Sequence, residues 1–462
     1  MTLAFLWLAA SAGALSLLTP CVFPMVPITV SYFTSHSGTD RRTALRNALV
    51  FGLGIVLTFT ALGIALAAFI GATGIALFAA NPWVNLALTA IFVAFALNLF
   101  GAYEITIPSR WLTQLDAATR SRDGAGMVGA LLMGLTFTLT SFTCTAPFVG
   151  TVLVTAAQGQ WKQPVVGMLT YSTVFALPFF VLALVPQWIS RLPKSGGWLN
   201  AVKVVMGFVE LAAALKFLAN VDLVWHWGIV TRPVVLACWI ALAALTTWYL
   251  LGRLQLSHDS PVTTVSAGRL LVACGSLATG IWLATGLTGR SLGSLEAFLP
   301  IDESALMATG AATATAGAST AAGLASGALH TADADLPWRL NDYAGALAQA
   351  QHDHKPVFID FTGYTCTNCR WMEANMFPRP EIRAALAQFV LARLFTDGDG
   401  AVYERQQTFQ EQHFHTVALP LYAIVAPDGS TMATFAGLTH NSAEYLAFLH
   451  QGSSGRSVGP PI

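Results

Sequence analysis

Residues 359–373, IDFTGYTCTNCRWME, place Cys366 and Cys369 two residues apart, after a strand-like run and at the opening of a helix-like one. A dithiol so placed does redox chemistry. Thiols on a first helical turn close a small disulfide, and the helix N-terminus lowers the pKa of the leading thiol so that thiolate is present near neutral pH. Zinc is the rival reading of the same spacing. A structural zinc site takes four ligands, usually adding a second Cys or His pair at knuckle spacing. No such pair follows: His413 and His415 stand one residue apart and read as a polar loop.

The flanks of the dithiol strengthen the redox reading. Lys355–Phe361, KPVFIDF, has the β-branched and aromatic content of a buried strand, and Asp360 is out of place inside it. A carboxylate there is normally expensive, so a specific use is expected. Further on, Ala418–Val425 reads as a second strand entered through Pro420, followed by a turn at Pro427, Asp428 and Gly429 and a strand over Thr431–Phe435. Pro420 by itself is also compatible with an ordinary edge-strand proline.

Composition places most of the chain in lipid. Of its 462 residues 55% are hydrophobic and only 10% charged, and its mean hydropathy is positive, which a soluble protein of this size does not normally show. Lys plus Arg and Asp plus Glu balance at 23 each, so net charge points to no nucleic-acid partner. Eight apolar spans are predicted before residue 290, over 3–33, 47–70, 82–103, 127–157, 164–186, 198–219, 229–251 and 268–288. The first reads as a span and not a cleaved leader, since no positive charge precedes it and its apolar run continues past any cleavage site. The odd-numbered connections hold Arg41, Arg42, Arg46, Arg110, Arg120, Arg122, Arg191, Lys194 and Arg253, while the even ones are nearly bare. By the positive-inside rule both termini lie outside the cytoplasm, and the dithiol with them.

Two spans differ from the rest. The first and fourth are too long for one straight crossing, and each carries near its middle a Cys followed three residues later by Pro: Cys21 with Pro24, and Cys144 with Pro147. Proline at depth breaks a helix, and interrupted segments at matching positions of two halves are the sign of an inverted repeat. Broken backbone is tolerated in lipid only where protein or a watery cavity receives it, so Cys21 and Cys144 are expected to form a thiol pair in a cleft near the midplane. Cys238 and Cys274 have no such context and read as packing. Glu210, inside the sixth span with Lys203 and Lys216 nearby, is a candidate for proton delivery or for a structural pairing.

With these residues in view the chain resembles the DsbD-type thiol:disulfide interchange proteins, whose membrane part is shared with CcdA-like electron transporters. The motifs that carry the resemblance are Cys21-x-x-Pro24 and Cys144-x-x-Pro147 in the membrane, and Asp360, Cys366-x-x-Cys369, Glu373 and Pro420 outside it. The resemblance implies an α-helical polytopic membrane domain of about eight helices over 1–290, a flexible linker over 291–335, an α/β thioredoxin-like domain over 336–455 and a short tail over 456–462. It further implies a cis Pro420 facing the dithiol, and Asp360 as the buried acid that moves protons to and from the second sulfur. Glu373 would be a second acid near it. As implied function, a Cys21–Cys144 disulfide takes electrons from cytoplasmic thioredoxin. The Cys366–Cys369 disulfide then passes them to periplasmic thiol proteins, with no cofactor or metal, across a bacterial inner membrane. Two departures stand out: Thr143 precedes Cys144 where the family commonly has Pro, and the family's immunoglobulin-like first domain is expected to be absent.

Ser304–Asp335, mostly Ala, Thr, Gly and Ser, reads as a tether whose roughly 30 residues would reach about 30 Å on a random-coil estimate. Two other classes of function stay open. Midplane thiols in an inverted repeat would also suit a soft-metal (copper) transporter, although Met residues are few and scattered. The outer domain would alternatively serve as a binding module in cytochrome c maturation, against which the acid, dithiol and proline set argues.

Overall fold

The computed structural model describes residues 3–17, 22, 41–69, 80–102, 131, 134, 135, 138, 141, 162–184, 196–256, 264–301 and 336–453. Among them the apolar runs become helices: α1 (Leu3–Ser16), α2 (Arg41–Phe69), α3 (Pro82–Leu99), α4 (Lys162–Leu184), α5 (Gly196–Trp225), α6 (Arg232–Leu250) and α7 (Ala267–Leu287). Five stretches, Leu45–Ala65, Pro82–Leu99, Asn200–Trp225, Arg232–Leu250 and Ala267–Leu287, are long and apolar enough to cross a bilayer, and Phe5–Ser16 and Val165–Val181 are shorter apolar helices. The protein is an integral membrane protein with a helical membrane domain. Much of the expected first and fourth spans, with Cys21 and Cys144, lies outside the described residues.

The chain divides into two units. In the first, α1, α2 and α4 share a core of Ala9, Ala12, Phe51, Ile55, Phe59, Met168, Tyr171, Phe175 and Phe179. Phe59 meets both Tyr171 and Phe175 edge-on. Gly13 is required where α1 crosses α4, because a Cβ there would stand 2.6 Å from the Tyr171 carbonyl oxygen. Several polar side chains find partners inside the bundle, as lipid demands: Thr58 and Thr170 donate to carbonyls one turn back, and the Tyr171 hydroxyl donates across helices to Ser16 Oγ at 2.8 Å.

In the second unit α6 and α7 pack on the later half of α5, with Trp239 Nε1 donating to the Ala212 carbonyl and Ser276 Oγ to that of Ala243. Residues 291–301, which the expected linker over 291–335 included, are folded instead. Gly293–Phe298 forms a 3-10 turn whose flanking Leu292 and Leu299 are buried with Val235, Leu236 and Leu283. The physical reason is the Leu-rich sequence there, which buries apolar surface that a Gly/Ser/Ala tether lacks.

The same unit contains an α/β domain. Its elements are β1 (Trp338–Leu340), α8 (Tyr343–Asp353), β2 (Val357–Thr362), α9 (Thr367–Asn375), α10 (Pro380–Leu386), β3 (Val390–Phe395), α11 (Ala401–Phe414), β4 (Leu421–Val425), β5 (Thr431–Ala436) and α12 (Ser442–Ser453). The sheet order is β1-β3-β2-β4-β5, with β1 and β2 parallel to β3 and the other pairs antiparallel, a mixed sheet of thioredoxin-like form. Alternation along β2 divides two cores. Phe358 joins Met372, Met376, Ile382, Tyr422, Tyr445 and Phe448 on the side of α9, α10 and α12. Val357, Ile359 and Phe361 face Ala346 and Ala350 of α8 with Phe409 and Phe414. The β4–β5 turn forms at the expected residues, Asp428 Oδ1 accepting from Ser430 N at 2.9 Å and Gly429 taking φ 89°.

Candidate active site

Strand β2 is central, so both its faces are covered and all six residues are buried. Phe358, Asp360 and Thr362 point to the α9 side by the two-residue period. Helix α9 starts where the chain leaves β2 through Gly363–Thr365. Asp397, just past β3, holds that loop, accepting from Tyr364 N at 2.6 Å, Thr365 N at 2.9 Å and Thr365 Oγ1 at 2.9 Å. Burial pushes the Asp397 carboxyl up, opposed by those three bonds and by the Arg370 cation. Gly363 is needed for the approach, since a Cβ there would lie 2.6 Å from Asp397 Oδ2.

Cys366 is the N-cap of α9, and its Sγ accepts from Cys369 N at 3.2 Å. The two cysteines are joined as a disulfide with Cα atoms 5.3 Å apart. Cys366 is partly exposed while Cys369 is 1% exposed, so an incoming thiolate reaches the first sulfur and not the second. The first sulfur also sits where the helix N-terminus presents unpaired amides and a partial positive charge.

Under α9 lies a buried set of four charges. Asp360 is fully buried and its Oδ2 accepts from Arg393 Nε at 2.9 Å. Arg393 Nε is also 3.9 Å from Glu373 Oε1. Glu373 takes a two-pronged bond from Arg370, both prongs at 2.7 Å. Thr362 Oγ1 bridges strand and helix, accepting from Arg370 and donating to Glu373 at 3.1 Å. When both acids are ionised, two carboxylates and two guanidiniums cancel in charge where an unpaired ion would be strongly disfavoured. Burial raises the Asp360 carboxyl to about 7. The Arg393 cation opposes the rise, the Glu373 charge adds to it, and the Arg393 hydrogen bond and Arg370 oppose it. Burial likewise holds the Tyr422 hydroxyl well above its ordinary value, reinforced by Tyr445, Asp360 and Glu373.

The structure thus brings Asp360 and Glu373 together around Arg393, and Cys369 is buried on the helix that carries Glu373. Pro420 is buried at the entry to β4, its peptide with Leu419 is cis, and its carbonyl accepts from Gly437 N at 2.8 Å. Cys21 and Cys144 lie outside the described residues. Cys238 is half-buried and Cys274 exposed, both as free thiols, and Glu210 is buried in α5. Among the described residues no group of three His, Cys, Asp or Glu side chains is arranged to hold a metal ion. Arg370, Arg393 and Asp397 were not singled out from sequence. Arg393 carries a signal of the same kind as Asp360, a charge inside the apolar run Val390–Phe395.

The dithiol face also meets the end of a membrane helix within the second unit. Tyr364 stacks on Phe395 at 4.2 Å between ring centres and receives the His226 ring edge-on at 5.5 Å. Leu223 packs with both aromatic residues. Asn375 Nδ2 donates to the Gly293 carbonyl at 3.4 Å. Glu296 fixes that turn, its Oε1 accepting from Arg232 Nε at 2.7 Å and its Oε2 from Leu292 N at 3.1 Å.

Residues 2–221 match the family model for the cytochrome c biogenesis protein transmembrane domain, and residues 338–427 match that for a thioredoxin-like domain. The chain is similar to the thiol:disulfide interchange protein DsbD 2 of Pseudomonas aeruginosa, 30% identical over 393 residues, covering 84% of this chain and 61% of that protein. DsbD of Vibrio vulnificus is 28% identical over 382 residues, 81% of this chain and 56% of the relative. DsbD of Haemophilus ducreyi is 26% identical over 438 residues, 94% of this chain and 67% of the relative. The chain spans about three-fifths of the length of the first two relatives.

Proposed function

Because the chain is of the DsbD type, a cytochrome c biogenesis-type membrane domain joined to a thioredoxin-like domain, we propose that it is a protein-disulfide reductase carrying reducing equivalents across the inner membrane to periplasmic thiol proteins. The observation that carries the reading is the asymmetry of the dithiol: an accessible Cys366 at a helix N-terminus and a buried Cys369. Cytoplasmic thioredoxin reduces a Cys21–Cys144 disulfide, and the resulting thiols reduce Cys366–Cys369. In the second exchange an incoming thiolate attacks Cys366 Sγ, forming a mixed disulfide and leaving the electron pair on Cys369 Sγ. Asp360 gives that sulfur a proton. A second donor thiolate then displaces Cys366, so the donor leaves as a disulfide and the outer pair is a dithiol. A thioredoxin couple near about −270 mV gives the direction, since it is more reducing than an oxidising outer compartment. Glu373 holds the buried cations in register, and Pro420 borders the client-binding face. No cofactor is required.

In this reading residues 1–290 are the electron-transfer domain, the tether lies within 302–335 and residues 336–455 form the periplasmic reductase domain. The contact of Tyr364 with His226 supports a visit of the outer dithiol to the membrane helices. The test is thiol trapping of Cys366 and Cys369 in cells, with and without Cys21→Ala and with thioredoxin depleted. The outer pair is expected to be reduced in the parent and oxidised in either perturbation. An outer pair that stays reduced in both overturns the relay and favours the transporter.

A further inference from the structure

The role of Arg393 is not covered by the dithiol, acid and proline set. It is 3% exposed, lies on β3 opposite Asp360 in strand register, and its guanidinium sits over the Trp338 ring with 4.1 Å to the ring centre. Arg393 is thus held on one side by an aromatic face and on the other by Asp360 Oδ2 at 2.9 Å, with Glu373 Oε1 at 3.9 Å. The other oxygen of Asp360, Oδ1, is buried and makes no hydrogen bond among the described residues. It lies in the interface that α9 forms with β2. Met372, Met376 and Glu373 of α9 lie there against Phe358 and Thr362, and Cys369, 1% exposed, stands on the same helix three and four residues before Met372 and Glu373.

We propose that Arg393 is a positioning residue for the dithiol reaction: by gripping Oδ2 it turns the unbonded Oδ1 of Asp360 toward proton exchange with the Cys369 sulfur and keeps that carboxyl able to ionise. The inference rests on the disulfide-exchange reading of the site. The charged and titratable groups facing Asp360 are Arg393 from β3, Arg370 and Glu373 from α9, and Tyr422 from β4, with Tyr445 of α12 behind Tyr422. Arg393 is first among those that favour the carboxylate, and burial with Glu373 drives the other way. Removing the cation leaves a fully buried acid beside Glu373, and such an acid stays protonated until higher pH. A protonated Asp360 accepts no proton from Cys369.

The step to follow is closure of the disulfide. Reduced Cys366 attacks oxidised glutathione, forming a mixed disulfide and releasing one glutathione thiolate. Cys369 then passes its proton to Asp360 Oδ1 and attacks Cys366 Sγ. The outer disulfide forms and the second glutathione leaves with the electron pair, so two thiols are oxidised and one glutathione disulfide is reduced to two thiolates.

Full-length protein in detergent is acid-quenched at intervals, and the mixed disulfide on Cys366 is quantified by mass spectrometry from pH 5 to 9. In the parent the closure rate should rise with a midpoint near about 7. In Arg393→Met the midpoint should move alkaline by about one unit, slowing closure at pH 6 by roughly tenfold. Arg393→Lys should retain most of the parental profile. Arg393→Gln, which keeps an N–H donor and loses only charge, should shift as Met does and serves where Arg393→Met does not accumulate. Asp360→Asn should flatten the profile and make Arg393→Met without further effect on it. A charge-removing variant with the parental midpoint, whatever its overall rate, overturns the proposal. So does a shift that persists beside Asp360→Asn. The assay needs neither thioredoxin nor the membrane pair, so its failure is separable from failure of the relay.

Discussion

At the residue scale the site depends on placing charge where it is disfavoured and then balancing it. Asp360 in the unfolded chain titrates near the ordinary 3.8, while in the folded domain burial lifts it to about 7. The folded state therefore binds the extra proton between those values. This contribution to stability is complete below about pH 4 and is lost as pH rises through 7. The expected outcome is a thermal midpoint of the thioredoxin-like domain that falls across this window in the parent, by an amount on the order of a few kcal/mol in stability. In Asp360→Asn that slope should be absent. Scanning calorimetry of the full chain at stepped pH checks it, and an unchanged slope in the variant would assign the titration to another group.

At the element scale the dithiol is positioned by what precedes α9 as much as by α9 itself. The β2–α9 loop has no regular structure to satisfy its amides, and Asp397 supplies three acceptor contacts from across the β3 end. Asp397→Ala should leave those donors without partners and lower stability by about 2–4 kcal/mol, with Asp397→Asn intermediate. Hydrogen exchange over residues 363–366 should quicken in the same order. Equal protection in parent and Asp397→Ala would mean that the α9 packing alone holds the loop.

At the scale of the whole molecule the folded stretch 291–301 joins α6 to the dithiol helix of the thioredoxin-like domain through two polar links, Glu296 with Arg232 and Gly293 with Asn375. Arg232 and Glu296 are 6% and 13% exposed and bonded at 2.7 Å, and Arg232 Nη1 also donates to the Gly286 carbonyl at 3.0 Å. Removing one partner of a buried pair leaves the other charge uncompensated, typically by about 3–5 kcal/mol. Glu296→Ala should therefore release the 3-10 turn. Limited proteolysis is expected to cut within residues 289–301 several-fold faster than in the parent. A cleavage pattern confined to the region after residue 302 in both proteins would show the ion pair to be dispensable there.

Much of this was legible in the chain, for local reasons. Twenty-residue apolar runs can only be helices in lipid, and β-branched and aromatic content marked β2, as the apolar run after Pro420 marked β4. The cysteine spacing pointed to redox chemistry, and Asp360 and Pro420 stood out in the strands beside it, before any contact was known. What only the tertiary structure decided is how the charges are matched. Arg370 could be read from sequence as an exposed helix cation, and Arg393 as an interruption of a strand. Their pairing with Glu373 and Asp360 depends on β3 lying beside β2 and on α9 crossing over both. Such pairing spans 33 residues between Asp360 and Arg393, and periodicity carries no information at that distance. The order in 291–301 has the same origin. Composition reports whether a segment can bury surface, but only the neighbouring helices determine whether a surface is there to receive it.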